Sequence, residues 1–331
     1  MDQGLRIMSQ TARYARQIAL PEVGAEGQAR LSAAHVLVVG AGGLGCPVLS
    51  YLAGAGVGEI TLMDPDVVEE SNLHRQPLFD MRDLGTPKVE AARHHLLRAH
   101  PDLRLHADPR ALDPLNAPAA VAQADLVVDA ADSVAASYIL SDCCKAQSTP
   151  LISASALGQS GYVGGFCGDA PSLRAVFPDP PASGATCASA GIMGPVVGSI
   201  GALQAQMTLK ALLGHAPSPL GQLITLDMAT LTPGGFRFDE AEEPEIALPF
   251  IAAANIQPED QVVELRDPSE ASAPVTPQAL RLLPQDILSA ELPDDCRIVL
   301  CCHSGLRAWS AARCLQQRGY KNLALLAAGA T

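Results

Sequence analysis

Short apolar runs alternate with amphipathic segments along most of the chain. Each run is bounded by glycine, proline or polar residues, and this length and setting predict a buried strand. In the first two-thirds these runs are HVLVVG (35–40), EITLMD (59–64), DLVVDA (125–130), PLISAS (150–155) and LITLD (223–227). Helical spacing is found at residues 43–56, 88–99, 138–147 and 195–213. The alternation predicts an α/β fold with a mostly parallel sheet.

Two other stretches set the limits of this pattern. Residues 10–30 are predicted to form a helix followed by a loop, and residues 238–249 are acidic and carry prolines, as a linker does. Beyond the linker the alternation restarts, with predicted strands at 261–265, 297–302 and 323–327 and a helix near 307–318. We therefore expect a first domain at 1–238, a linker at 239–250 and a second, smaller α/β domain at 251–331.

Composition narrows the classes of protein. The chain has 331 residues, 48% of them hydrophobic and 17% charged, which is typical of globular proteins. Its formal charge of -13 argues against nucleic acid or an anionic membrane as the main partner. The most apolar stretch, Pro195 to Gly214, is interrupted by polar residues, and the first residues contain no apolar signal core. We expect a cytoplasmic protein, in which the nine cysteines are thiols, catalytic groups or ligands.

A glycine-rich loop follows the first predicted strand. Residues 40–45 match G-x-G-x-x-G between a strand and a helix, with glycines at Gly40, Gly42, Gly43 and Gly45. Such a loop lets the backbone approach a phosphate, and the helix N-terminus supplies amide donors. Asp64 ends the next strand, where a carboxylate can hold ribose hydroxyls. The loop predicts a Rossmann-like nucleotide site but does not by itself separate ATP from NAD.

Six motifs then point to one family. In order and spacing the chain is similar to ThiF/MoeB-type adenylyltransferases, which are related to ubiquitin-activating enzymes. The motifs are RYARQ (13–17), GAGGLGCPVLSYLAGAGVGEITLMDPD (40–66), SNLHRQ (71–76), GTPKVEAAR (85–93), VVDAAD (127–132) and TCASAGIMGPVVGSIGALQA (186–205). The resemblance covers residues 10–230 and favours ATP over NAD.

The resemblance implies a set of site residues. Arg75 and Lys88 are expected to contact the phosphates of ATP, and Asp132 to bind Mg²⁺ near the α-phosphate. Asn72 and Gln76 would help to position the phosphates, and Asp64, with Asp66 nearby, would hold the ribose. Arg16 would reach into the site of a partner subunit, which implies a homodimer.

Several positions depart from the family pattern. Asn and Arg, usual in the family just after the metal-binding Asp, are replaced by Ser133 and Ser137. Many relatives hold structural zinc with two C-x-x-C pairs, but the first pair is lost at residues 172–175 and the second is absent, so no zinc is expected. Cys187 matches a cysteine that relatives use for a covalent link to the activated partner, although a small buried residue is the alternative reading.

The last 80 residues resemble a rhodanese domain. Residues 302–307, Cys-His-Ser-Gly-Leu-Arg, match its C-x-S-G-x-R loop, in which backbone amides and Arg307 would favour the thiolate and persulfide of Cys302. ELRDPSE (264–270) resembles the segment before that loop, with Glu264 in place of the usual Asp. The usual Gly-His-Ile-Pro-Gly-Ala is reduced to residues 276–279, and we expect a truncated domain.

Together these features predict a fused adenylyltransferase and sulfurtransferase. It would adenylate the C-terminal glycine of a ubiquitin-like sulfur carrier ending in Gly-Gly and convert it to a thiocarboxylate. A donor such as a cysteine desulfurase would load Cys302 with persulfide sulfur. The alternatives are adenylation of another peptide or small-molecule carboxylate without sulfur transfer, and a degenerate scaffold that binds nucleotide or carrier; an NAD-dependent dehydrogenase is the weakest. The sequence names neither the carrier nor the pathway.

Overall fold

The chain folds around two separate β-sheets. The computed structural model describes residues 12–180, 191–245 and 247–329. The first sheet has eight strands in the order β3-β2-β1-β4-β5-β6-β7-β8, and the second has four in the order β10-β9-β11-β12. The strands of the first sheet are β1 (His35–Val39), β2 (Glu59–Met63), β3 (Arg104–Asp108), β4 (Leu126–Asp129), β5 (Pro150–Leu157), β6 (Ser160–Cys167), β7 (Gln222–Asp227) and β8 (Thr232–Arg237).

Helices cover both faces of the first sheet. They are α1 (residues 12–18), α2 (Gly24–Ala33), α3 (Gly45–Ala55), α4 (Lys88–Ala99), α5 (Ala117–Val121), α6 (Val134–Gln147), the single turn α7 (Leu173–Val176) and α8 (Gly194–Leu213). Alternate residues of β1 enter opposite cores, Val36 with α3, α4 and α8, and Leu37 with α5 and α6. This two-sided burial explains why the strand is a continuous apolar run.

The second sheet is smaller and entirely parallel. Its strands are β9 (Gln261–Glu264), β10 (Leu280–Arg281), β11 (Ile298–Cys302) and β12 (Leu323–Ala327), with α9 (Leu306–Gln317) after β11. Short 3₁₀ turns lie at Glu70–Asn72, Met81–Asp83, Ala253–Asn255 and Pro284–Leu288. No strand or helix is assigned between β8 and the turn at Ala253–Asn255 among the described residues. The predicted domain limits at 238 and 250 stay a prediction.

The mostly parallel α/β class is confirmed, with corrections in detail. Strands β1 to β5 are parallel, whereas β6, β7 and β8 continue the sheet antiparallel. The predicted loop at the end of residues 10–30 is wrong, because α2 fills Gly24–Ala33. Strands β3, β6, β8 and β10 were not predicted, and α6 begins at Val134, one turn before the predicted start.

Helix α8 is the central helix on one face of the first sheet. By length and composition it is long and apolar enough to cross a membrane, but half of its most apolar stretch is buried within the fold. It packs against α3, β5 and β6. Its buried Gln204 donates from Nε2 to the carbonyl oxygens of Asp129 (2.6 Å) and Ile152 (3.0 Å). This amide ties α8 to the carboxyl end of β4 and to the first half of β5.

Replacing Gln204 tests that tie. We expect Gln204→Leu to lower the free energy of unfolding by about 1–3 kcal/mol, because two buried carbonyl groups lose a donor. Urea unfolding followed by circular dichroism measures the change. Gln206→Leu, at an exposed position of the same helix, is the matched control and should leave stability nearly unchanged. Equal stability of the two variants would show that the Gln204 bonds add nothing.

Candidate active site

The candidate site lies where the order of the first sheet reverses. β1 pairs with β2 on one side and with β4 on the other, and connections leave in opposite directions from this point. In open α/β sheets the crevice at such a point, outside the carboxyl ends of the strands, is where ligands bind. The glycine loop after β1, Asp64 after β2 and Asp132 after β4 all follow these carboxyl ends.

The glycine loop is shaped by the close approach of β1 and β4. Gly40 has φ +102°, and a Cβ there would lie 2.5 Å from the carbonyl oxygen of Ala130. A Cβ on Gly45 would lie 2.0 Å from the carbonyl oxygen of Gly40. Side chains at either position would push the loop away from the end of β4. The loop therefore needs glycine for its path, whatever it binds.

Asp64 is buried behind this loop. One carboxylate oxygen accepts from the Ala41 amide (2.7 Å) and the other from the Asp66 amide (2.9 Å). Burial raises the pKa of Asp64 above its ordinary value, and the nearby Lys88 ammonium opposes that rise. Lys88 is itself buried, and its Nζ forms an ion pair of 2.7 Å with the exposed Asp66. A cation is thus held among two carboxylates at the end of β2.

The segment after Asp64 brings polar side chains to the glycine loop. Gln76 is 2% exposed, and its Nε2 lies 3.9 Å from where a Gly42 Cβ would be. Its Oε1 is buried and has no hydrogen-bond partner among the described residues. Arg75 donates to the carbonyl oxygen of Ser71 (3.0 Å), and the buried Asn72 donates to the Ser71 hydroxyl (3.1 Å). An unpaired buried acceptor beside a phosphate-type loop is suited to meet a ligand donor.

Two aspartates, one at the end of β4 and one just after it, differ in environment. Asp129 is fully buried and accepts from the Ser153 hydroxyl (2.7 Å) and the Ala131 amide (3.2 Å). Burial raises its pKa to about 6, although hydrogen bonds from Ser137 and Ser153 oppose the rise. Asp132 is exposed at the mouth of the site. Only Asp132 therefore presents an open carboxylate to a ligand.

The two serines that replace the family's Asn and Arg have structural partners. Ser133 caps α6 by accepting from the Ala136 amide (3.4 Å). The Ser137 hydroxyl donates to the Ser133 carbonyl oxygen (3.3 Å) and also lies within reach of Asp129. The departures from the family pattern thus support the start of α6 and a buried carboxyl group.

A cavity opens beside the Asp64 end of the site. It has a volume of about 810 Å³ and lies at the carboxyl ends of β2 and β3. Its lining includes Met63, Pro65, Asp108, Arg110, Leu115 and Asn116. A second cavity of about 520 Å³ is shallow and lies among β6, β7 and β8, away from the glycine loop. We take the first as the candidate nucleotide cavity because Met63 and Pro65, the chain neighbours of Asp64, line it.

Arg16 is not brought to this site of its own chain. Arg16 is exposed on α1, whose neighbouring Gln17 donates to the carbonyl oxygen of Ala55 at the end of α3 (3.0 Å). The glycine loop is at the start of α3, about 15 Å away for 11 residues. Arg16 therefore does not serve its own chain's loop. Cys187 lies outside the described residues.

The second sheet carries its own candidate centre after β11. The fully buried Cys302 Sγ accepts from the amides of Gly305 (3.1 Å) and Ala308 (3.4 Å), at the start of α9. Arg307 interacts with this thiol and pairs with Glu270 through both terminal nitrogens. Two backbone amides and a guanidinium are thus directed at one sulfur atom. The burial of Cys302 means that a donor reaches it only if the loop moves.

The position of the lost zinc ligands is occupied by a hydrogen-bonded clamp. Glu243 accepts from the amide (2.8 Å) and hydroxyl (2.5 Å) of Ser172, and Lys145 pairs with the same carboxylate (3.0 Å). A hydroxyl and the methyl group of Ala175 do not fit the thiolate ligands of a structural zinc site.

Comparison with known proteins agrees with this geometry. Fold and site define a nucleotide-binding α/β protein of the ubiquitin-activating type. The chain belongs to the ThiF family, which matches residues 14–245.

Individual relatives and solved structures are also similar to this chain. The chain is 43% identical over 222 residues to the adenylyltransferase and sulfurtransferase MOCS3 of Culex quinquefasciatus, covering 66% of this chain and 51% of that one. It is 39% identical over 226 residues to the SAMP-activating enzyme E1 of Haloferax volcanii, covering 68% and 84%. Thus the chain spans about half the length of its MOCS3 relatives. The structure of E. coli MccB with ATP shares the fold, with a TM-score of 0.58, 24% identity and coverage of 70% and 73%.

Sequence reasoning missed several residues of these sites. Asp129 is part of the motif VVDAAD, and no role was predicted for it. Its place at the end of a buried apolar run indicates a buried carboxyl group. Glu270 lies in the quoted segment ELRDPSE, but its pairing with Arg307 needs the fold. No local signal could have found the Glu243 clamp, because its partners Ser172 and Lys145 are 71 and 98 residues away in the chain.

The buried Asp129 predicts a pH dependence of stability. Its folded pKa of about 6 exceeds the ordinary 3.8, so the folded state binds more protons between these values. The free energy of unfolding should therefore fall as pH rises from about 4 to 6. By pH 7 the free energy of unfolding of the wild type, measured against that of Asp129→Asn, should have fallen by about 3 kcal/mol. Urea unfolding at a series of pH values measures it, and Asp169→Asn at an exposed turn is the control. A constant difference between wild type and Asp129→Asn would contradict this prediction.

Proposed function

We propose that this chain activates the C-terminal carboxylate of a ubiquitin-like sulfur carrier with ATP and converts it to a thiocarboxylate with sulfur from Cys302. The observation that carries the proposal is the site at the reversal point of the first sheet. There the glycine loop, the buried Asp64 and Lys88, and the unpaired Gln76 Oε1 surround a crevice open to Asp132. The same chain holds a thiol directed at two amides at the start of α9.

The relatives support both halves of the proposal. MOCS3 is named for adenylyl transfer and sulfur transfer, and the Haloferax volcanii protein is named for activating SAMP. The matched residues lie in the first two-thirds of this chain, so the relatives speak mainly for adenylation. The sulfur half depends on the geometry around Cys302.

The nucleotide would bind along the loop and the neighbouring cavity. Asp64 would hold ribose hydroxyls with Asp66 nearby, and the base would enter the cavity lined by Pro65 and Leu115. Lys88, Arg75, Asn72 and Gln76 would contact the phosphates around Gly42 and Gly43. Asp132 offers the hard oxygen ligand that Mg²⁺ prefers, and the ion would supply positive charge beside the phosphates.

The chemistry then proceeds in two stages. A carboxylate oxygen of the carrier attacks the α-phosphorus, an O–P bond forms, and pyrophosphate leaves with its bonding electrons. The terminal sulfur of the Cys302 persulfide next attacks the acyl carbon, and AMP leaves. A thiol reductant cleaves the resulting acyl disulfide and releases the thiocarboxylate. A second thiol frees Cys302 from its mixed disulfide, and a cysteine desulfurase or similar donor reloads it.

The remaining parts of the proposal concern assembly. Arg16 would act in the site of a partner subunit in a homodimer, because α1 contacts the far end of α3 in its own chain. Cys187 would serve as a covalent intermediary. We propose no zinc, a cytoplasmic location, and neither nucleic acid nor membrane as partner.

A second function is favoured by one observation. Cys302 is fully buried, which suits a chain that adenylates a peptide or other carboxylate and transfers no sulfur. Both functions require pyrophosphate release, and only the first requires persulfide on Cys302.

Adenylation is tested by ATP–pyrophosphate exchange. Exchange should depend on an added carrier ending in Gly-Gly and should fall at least a hundredfold in Asp132→Ala, because the metal ligand near the α-phosphate is removed. Asp169→Ala, an exposed aspartate after β6, is the matched control and should exchange at the wild-type rate. Carrier-dependent exchange that survives in Asp132→Ala would refute the role given to that residue.

Sulfur transfer is tested by mass spectrometry after incubation with a cysteine desulfurase and cysteine. We expect a persulfide on Cys302 and its loss in Cys302→Ser, with adenylation retained in that variant. Cys314→Ser, a half-buried cysteine of α9, is the control and should keep the persulfide. Thiocarboxylate formation by Cys302→Ser at the wild-type rate would point to another sulfur donor. Pyrophosphate exchange with neither a Cys302 persulfide nor thiocarboxylate in the wild type would favour the second function.

A further inference from the structure

The two sheets meet through helix α6 and helix α9. Trp309 of α9 is 3% exposed, and its ring centroid lies 4.8 Å from that of Tyr138 on α6. The indole Nε1 donates to Asp179 Oδ1 (2.9 Å), and Arg313, one turn later, donates to Asp179 Oδ2 (2.7 Å). Asp179 belongs to the segment that follows α7 of the first sheet. A single aromatic side chain is therefore held from both sides by residues of the other unit.

A buried cation completes this contact. The Arg174 guanidinium lies 4.8 Å from the Tyr138 ring centroid and 5.3 Å from that of Trp309. It also pairs with Asp142 of α6 (2.6 Å) and donates to the carbonyl oxygen of Leu248 before the second sheet (3.1 Å). We call Arg174, Tyr138, Asp179, Trp309 and Arg313 the docking cluster. Its charges are paired, and its two rings, tilted at 45° to each other, both face the Arg174 cation, as a stable interface requires.

The docking cluster brings the Cys302 loop to the start of α6. A Cβ on Gly305 would lie 3.6 Å from the Cβ of Ala135, so the loop touches the first turn of α6. Gly305 is also the residue whose amide donates to Cys302 Sγ. Ala135 is three residues beyond Asp132, at the mouth of the candidate adenylation site. The loop that holds Cys302 thus lies next to the helix turn that follows Asp132 in the same chain.

We propose that Trp309, Arg313 and Asp179 are positioning residues for sulfur transfer within one chain. They hold the Cys302 loop against the start of α6, so that the persulfide meets the acyl-adenylate formed in its own chain. This inference rests on the proposed function for its chemistry and on the docking cluster for its geometry. The effective concentration of the persulfide at the acyl-adenylate is then set by the fixed orientation of the Cys302 loop, and not by the length of the linker alone.

The first test separates positioning from the chemical steps. In Trp309→Ala, thiocarboxylate formation should fall about tenfold or more because oriented delivery is lost. Carrier-dependent pyrophosphate exchange and the Cys302 persulfide should stay at wild-type levels. Trp309→Phe keeps an aromatic ring against Tyr138 and should recover most of the rate. Ser310→Ala, the adjacent and exposed position on α9, is the matched control. Thiocarboxylate formation at the wild-type rate in Trp309→Ala would overturn the inference.

Arg313→Gln guards against a folding defect in the tryptophan variant. The Arg313 side chain is partly exposed, so its loss should leave both units folded and still slow thiocarboxylate formation severalfold. A fall of all three activities together in Arg313→Gln would also overturn the inference, because it would show a general structural role.

Amide hydrogen exchange tests the docking without reference to any activity. Trp309→Ala should speed exchange in residues 133–138 and 303–308 together, because each segment covers the other. Faster exchange in 303–308 alone would overturn the docking, whether or not the wild type forms thiocarboxylate. A wild type with docked segments but no pyrophosphate exchange would instead refute the proposed function.

Mixing variants decides between one chain and two. Asp132→Ala lacks the adenylation centre and Cys302→Ser lacks the sulfur centre. If sulfur passes within one chain, their mixture should form no more thiocarboxylate than the separate variants, even when the subunits exchange. Recovery of thiocarboxylate formation in the mixture would overturn the inference.

Discussion

The arrangement of the two sheets depends on one buried guanidinium, that of Arg174. Its side chain is almost fully buried, and a buried charge is tolerated only when its partners replace water. Here Asp142 supplies an ion pair, a backbone carbonyl supplies an acceptor, and two aromatic faces supply the rest. These partners come from α6, from α9 and from the chain between the sheets. Removing any one would leave part of the charge unpaired, so the three elements are held together.

Helix α6 connects the candidate adenylation site to the second unit. Its first turn follows Asp132 and is capped by Ser133, next to the candidate adenylation site. One turn further on, Tyr138 meets Trp309 of the second unit. The same rigid element is thus part of both candidate centres. Ser133 and Ser137, which replace charged or amide residues of the family, keep this helix start small, and the Gly305 loop packs against it at Ala135.

Much of the fold could be predicted because its strands are buried on both faces. α4 was predicted at its observed bounds, Lys88–Ala99, from apolar spacing alone. The missed strands lack that signal. β3, RLHAD, is a partly exposed edge strand in which polar and apolar residues alternate, and β8, TPGGFR, is exposed at every residue. Both segments are strands because a neighbouring strand offers them hydrogen bonds. The sequence of the segment itself carries no information about that neighbour.

The site residues also divide into those that the local sequence indicates and those that only the fold brings together. The glycine loop at Gly40 and the place of Asp64 follow from spacing after the predicted strands, whereas Lys88 follows from the resemblance to the family. Their roles at the site stay predictions. The docking cluster was not predictable, since Asp179 and Trp309 are 130 residues apart and each is ordinary in its own segment. In the sequence, residues 172–175 showed only the loss of a zinc pair. In the structure, Arg174 of this segment joins the two units. Residues 172–175 therefore help to hold the chain together through a buried guanidinium and not through a metal ion.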